Sequence, residues 1–136
     1  MTRRLLLLFL PFAAALRADS AKDAEDLIAS AANGLSTGKP EEFLEAFDPA
    51  MPDFEKLRSA AVGLISQGEV SCSIEILRNE GDDAVRTLEL DWILRIEQKP
   101  GSTRRQKTVK CQIKKIGKKW RIVSFEPLDL LAPAGA

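Results

Sequence analysis

Between Lys22 and Leu35 the apolar residues fall at Ala24, Leu27, Ile28, Ala31, Ala32 and Leu35. That i, i+3, i+4, i+7 spacing predicts a helix over Lys22–Leu35 burying one face. Asp19 or Ser20 can cap its start, Asp23, Glu25 and Asp26 sit at its positive end, and Gly34 or Gly38 can end it. Thr37-Gly38-Lys39-Pro40 breaks the pattern, and Pro40-Glu41-Glu42 is a good helix start. The second helix is short, carries Phe43, Leu44 and Phe47, and stops at Asp48-Pro49. Asp53 is then expected to cap a third helix with the stripe Phe54, Leu57, Ala60, Ala61, Leu64 and Ile65, closed by Gly68.

After Gly68 the period changes to two. Val70, Cys72, Ile74 and Ile76 alternate with polar residues in a first strand, and Asn79-Glu80-Gly81-Asp82 reads as a turn. A long second strand sets Leu88, Leu90, Trp92, Leu94 and Ile96 on one face against Thr87, Glu89, Asp91, Ile93 and Arg95 on the other. Lys99-Pro100-Gly101-Ser102 suits a type II turn. The third strand points Val109, Cys111 and Ile113 inward and Thr108, Lys110, Gln112 and Lys114 outward. Gly117 leads to a fourth, with Trp120 and Ile122 on one face and Arg121, Val123 and Phe125 on the other.

Three helices followed by a four-strand antiparallel meander predict an α+β fold, the helices packed in the concave face of a curved sheet as a cone-shaped barrel. This order resembles the nuclear transport factor 2-like superfamily, which includes SnoaL-like and ketosteroid-isomerase-like proteins. The residues carrying the resemblance are Phe43-Leu44-Glu45-Ala46-Phe47, the helix from Asp53 to Ile65, and Trp120-Arg121-Ile122-Val123 with Glu126-Pro127-Leu128. It covers nearly the whole chain beyond residue 18. The resemblance implies a fold and leaves activity open, because the superfamily hosts isomerases, dehydratases, cyclases, transport adaptors and proteins of unknown role.

The first 18 residues read differently from the rest. Arg3-Arg4 precede an apolar stretch from Leu5 to Leu16 interrupted only by Pro11, and small residues follow at Ala18, Ser20 and Ala21. This is the order of a secretory signal, cleaved after Ala18 or after Ser20. The stretch falls short of the roughly 20 residues needed to span a bilayer, so no stable membrane anchor is expected after processing. The domain is then 19–136, exported to the periplasm or the extracellular space. The chain's 20 basic and 20 acidic residues balance, but losing Arg3, Arg4 and Arg17 with no acid leaves 17 against 20, or −3.

Composition removes several chemistries. The 136 residues contain no His and no Tyr. Ser-His and Cys-His nucleophile pairs and the usual zinc sites need an imidazole. The resemblance implies, for enzymatic members, an acidic base facing a Tyr and a protonated carboxyl, or His with Tyr or Asp; neither set transfers to this chain. Strand parity sends Glu75, Glu89, Asp91 and Glu97 to the face opposite Trp92, where they can pair with Lys110 or Lys114. Among the eight glycines there is no G-x-G, which leaves out the dinucleotide fingerprint and the phosphate loop. Glu80-Gly81-Asp82-Asp83 lacks the alternating ligands of a calcium loop. No metal and no cofactor is expected. Cys72 and Cys111 sit on strands one and three, about 9.5 Å apart across the sheet, beyond the roughly 7 Å that a disulfide spans unless the sheet curls strongly; otherwise they are buried thiols.

Arg104 to Arg121 contains nine basic residues and no acid, while Asp19 to Glu55 has ten acids against Lys22 and Lys39. Arg104, Arg105, Lys107, Lys110, Lys114 and Lys118 are therefore candidates for a basic surface that binds polyanions. The alternative is a solvated hairpin whose lysines protect a sheet edge. No aromatics interleave for base stacking, so nucleic acid is not the expected partner. Leu77, Ile93, Val123 and Phe125 on the outer face suggest a homodimer interface or scattered surface residues. Three functions stay open: a non-catalytic module binding a small apolar ligand or a partner protein in a cone lined by Phe43, Phe47, Trp92 and Trp120; an isomerase or dehydratase using a buried carboxylate; and a polyanion binder over residues 104–121. Leu128, Leu130 and Leu131 could instead plug the mouth of the cone.

Overall fold

The computed structural model describes the backbone of residues 2–132 and the side chains of residues 19–132. The side chains read as an export signal lie outside it. Helices α1 (Thr2–Ser36), α2 (Pro40–Glu45) and α3 (Phe54–Gln67) precede strands β1 (Glu69–Gly81), β2 (Val85–Gln98), β3 (Gly101–Ile116) and β4 (Lys119–Glu126), and a 3₁₀ turn follows at Leu128–Leu131. The strands form one antiparallel sheet in the order β1-β2-β3-β4. It is curved and unclosed, and the three helices pack against its concave face, as the periodicities predict.

The alternation of β2 sets the core. Leu88, Leu90, Trp92, Leu94 and Ile96 are all fully buried, together with Ile28, Leu35, Phe43, Phe47, Leu57 and Leu64 from the helices and Val109 and Ile113 from β3. Two glycines control how the helices meet. A Cβ on Gly34 would lie 2.4 Å from the Phe43 backbone nitrogen, so only glycine lets α1 and α2 approach this closely. Gly38, at φ +73°, ends α1 in the left-handed conformation.

Several local expectations are corrected. α1 does not begin at a cap near residue 19: it runs back to Thr2, and the Ser20 hydroxyl instead donates to Asp83 Oδ1 at 2.5 Å, with Asn79 Nδ2 donating to the Ala21 carbonyl at 2.9 Å. This fastens α1 to the β1–β2 hairpin, where buried Arg86 donates to Asn79 Oδ1 at 2.7 Å. Asp53 makes no side-chain cap; it sits at φ 65°, and its carbonyl accepts the Leu57 N–H at 2.9 Å. β1 continues through Asn79–Gly81, and Asp82 makes the turn, its carboxylate accepting the N–H groups of Ala84 and Val85. The β2–β3 ladder closes at Gln98–Gly101, so the loop is Lys99-Pro100 with a cis peptide rather than a type II turn centred on Pro100-Gly101.

The largest correction is on β4. Ile113 pairs with Ile122 and Gln112 with Ser124, which leaves Val123 as an extra residue in a β-bulge. Beyond the bulge the side-chain parity inverts. Phe125, expected on the outer face, is buried beside Ile122 in the core. A similar irregularity at Leu77 leaves that side chain exposed.

Candidate functional site

The interior expected to hold a ligand is occupied by the protein's own side chains. Phe43, Phe47 and Trp92 are 0% exposed. Phe43 and Phe47 have ring centroids 4.9 Å apart, and Phe125 packs edge-on against both Phe47 and Trp92 at 5.7 Å. Such offset and edge-to-face contacts characterise a packed aromatic core. The mouth is plugged as well. Leu130 and Leu131 of the 3₁₀ turn are fully buried, and Arg105 Nη1 reaches the carbonyls of Leu130 (3.0 Å) and Ala132.

Arg105 can do this because it lies on the concave face. β3 register pairs Leu94 with Arg105 and Trp92 with Lys107, the same parity as Val109 and Cys111. Lys107 Nζ reaches Asp129 Oδ2 at 3.7 Å. Two of the six residues proposed as a basic surface therefore hold the carboxy-terminal plug. Arg104, Lys110 and Lys114 have the opposite parity and face outward, and Lys118 stands in the β3–β4 turn, so the six do not share one face.

The cysteines are both free. Register explains why: Cys72 pairs with Leu94, which pairs with Arg105, six residues along β3 from Cys111. Six residues add about 20 Å of offset to the two strand spacings, which excludes a bridge. Burial pushes the Cys111 thiol pKa up to about 12. Burial also raises that of Cys72, partly offset by the adjacent Trp92 indole and Ser36. The indole contact is too loose to satisfy Trp92 Nε1, which is buried without a well-formed hydrogen bond. Neither thiol has the lowered pKa of a nucleophile. Among the described residues the only buried polar or charged ones are Ser20 and Arg86, so no carboxylate there is buried, and no group of His, Cys, Asp and Glu could hold a metal.

The fourth expected pocket residue, Trp120, is placed differently. The segment after α2 docks on the free edge of β4: Ile122 N–H donates to the Ala46 carbonyl at 2.8 Å and Asp48 N–H to the Ile122 carbonyl at 2.9 Å. Arg121 Nη1 donates to the Glu45 and Phe47 carbonyls at 3.2 and 3.3 Å, capping the C-terminus of α2. With α2 anchored here and α1 packed on α2, a cleft of about 580 Å³ remains between α1, α2 and the β3–β4 hairpin. Half-buried Trp120 and Leu27 and buried Ala46 form its apolar part. One wall carries Asp23 and Asp26 from α1 and Glu42 and Glu45 from α2; the other carries Lys118, Lys119 and Arg121. Of these, Trp120 and Lys118 are candidates from the sequence, and Lys119 and Arg121 belong to the basic run 104–121, whereas the four acids are not singled out there. The missed signal was the i, i+3 repetition of acids beside each apolar stripe, which puts each pair on one helix face.

No protein-family model and no curated protein matches the sequence. Solved structures do. A Mycobacterium tuberculosis protein of unknown function aligns over 76% of this chain and 67% of its own, with a TM-score of 0.66 at 16% identity. A nuclear transport factor 2-like protein of unknown function from Shewanella oneidensis aligns over 76% and 94%, at 0.60 and 10%. A conserved protein from Planctomyces limnophilus aligns over 80% and 94%, at 0.71 and 7%. The chain has the nuclear transport factor 2-like fold.

Proposed function

We propose that the chain is an exported, non-catalytic module that binds a small ligand in the cleft between α1, α2 and the β3–β4 hairpin. The observation that carries this reading is the division of the two tryptophans: Trp92 is sealed in a filled interior, while Trp120 stays half-buried in a cleft of ligand size. The filled interior removes the room for the small apolar ligand expected there. The lack of a buried carboxylate among the described residues leaves the isomerase or dehydratase alternative without its base. The polyanion alternative loses Arg105 and Lys107 to the plug. Export rests on Arg3-Arg4 and the Leu5–Leu16 stretch ahead of Ala18.

One experiment reads both parts. The full chain is expressed in a Gram-negative host, recovered from the periplasm and measured by native mass spectrometry. The reading expects a chain beginning at Asp19 or Ala21 that carries a non-covalent ligand, and loss of that ligand in Trp120→Ala. An unprocessed cytoplasmic chain removes the export claim; a ligand indifferent to Trp120 removes the cleft.

A further inference from the structure

The two walls of the cleft carry opposite charge and do not neutralise one another. Among the described residues the side chains of Asp23, Asp26, Glu45, Lys118 and Lys119 make no hydrogen bond or ion pair. Glu42 accepts only a 3.3 Å contact from Asn33, and Arg121 is committed to backbone carbonyls. Elsewhere the chain does pair its surface charges where they meet, as in Arg58–Glu55 at 3.2 Å. Across the cleft, the gap that makes the cavity keeps them apart. Trp120, half-buried on β4 between Lys119 and Arg121, lines the same cleft and supplies an indole, the best aromatic partner for a cation.

We infer that the cleft takes a small zwitterion, with an alkylated ammonium group on Trp120 against the carboxylates of α1 and α2 and an anionic group on Lys118 and Lys119. This deepens the proposed function and rests on it. A simple cation meets the lysine wall and a simple anion meets the four carboxylates, so a ligand with one charge is disfavoured by the wall of its own sign. A zwitterion satisfies both, and its ammonium gains the indole face as well. A quaternary ammonium also suits carboxylates that touch it without directional hydrogen bonds, since it has no N–H to donate.

The test is calorimetric titration of the folded chain with phosphocholine, with choline and inorganic phosphate as single-charge arms at matched ionic strength, and phosphatidylcholine vesicles to separate a lipid headgroup from a free solute. Phosphocholine is expected to bind at least tenfold more tightly than choline or phosphate. Lys119→Glu, an exposed substitution that leaves the fold intact, should weaken phosphocholine about tenfold while improving choline. Choline binding as tightly as phosphocholine, no effect of Lys119→Glu, or no phosphocholine binding overturns the inference. If phosphocholine fails while the natively bound mass still depends on Trp120, the ligand class alone is wrong; if no Trp120-dependent mass exists, the cleft reading falls with it.

Discussion

Replacing Phe47 by Ala separates a filled interior from a ligand pocket. Phe47 is fully buried, touches Phe43 at 4.9 Å and Phe125 at 5.7 Å, and its backbone pairs with β4 at Ile122. Removing a buried phenyl ring costs about 3–5 kcal/mol, combining lost transfer free energy with the cavity left behind. Two aromatic neighbours put this site in the upper half of that range, because each such pair adds about 0.5–1.5 kcal/mol beyond area burial. Set against about 5–15 kcal/mol for a whole domain, the loss should lower the melting temperature by roughly 16–20 °C at about 4 °C per kcal/mol. Urea unfolding followed by circular dichroism measures it, with an unchanged slope showing that the unfolded state is not the cause. In a ligand pocket, the same change would leave most of the stability in place and alter binding instead. That outcome refutes the packed-core assignment.

Other outcomes follow from the same structure. Gly34→Ala should destabilise by about 1–3 kcal/mol, since the new Cβ meets the Phe43 backbone rather than a movable side chain; equal stability to the parent in urea would show that α1 and α2 can move apart freely. Arg105→Met should release the Leu128–Leu131 turn, seen as fast amide exchange at Leu130 and Leu131 and new binding of a hydrophobic dye, while persistence of slow exchange would leave the guanidinium with no role in the plug. Cys111 holds its proton in the fold up to about pH 12 but loses it near 9 when unfolded. The native state therefore binds more protons between those values, and its stability falls as pH rises through that window, by up to about 1.4 kcal/mol per unit. Cys111→Ala should flatten that slope, and an unchanged alkaline profile contradicts the assignment. With Phe125 inside, the outer sheet face lacks its largest apolar side chain, and light scattering at high concentration should give a monomer mass; a dimer would restore the outer-face interface that the sequence suggests.

The sequence patterns carried the architecture where one periodicity ran undisturbed. β2 alternates over its whole length, and all five expected core residues are buried. The stripes of α1 and α3 behaved in the same way, burying Ala24, Ile28, Ala31 and Leu35, and Leu57, Ala61 and Leu64. Reading failed where a single residue changes phase. Val123 has no marker as a bulge, since its neighbours alternate plausibly in either register, and the slip moved Phe125 from surface to core. Asp53 and Ser20 carry the residue types of caps, yet tertiary contacts use them otherwise: Ser20 bonds Asp83, 63 positions away. The inward parity of Val109 and Cys111, carried two and four residues further back, already places Lys107 and Arg105 on the concave face. Charge alone marks these two as surface residues, whereas a long arginine can lie on an apolar face and deliver its head to carbonyls at the rim. The cleft was out of reach for another reason: it is built from three elements distant in sequence, and only the register of β4 against the Ala46–Asp48 segment brings them together.

Solvent and solutes should reach Trp120 and not Trp92. The chain has two, so a ¹H–¹⁵N spectrum shows two indole signals, assigned with Trp120→Phe. On transfer to deuterated water the Trp120 indole should exchange within the first spectrum and its fluorescence should be quenched by acrylamide, while the Trp92 indole should persist for hours. If the Trp92 indole exchanges as fast as that of Trp120 in the folded chain, the interior is open and the central claim is contradicted.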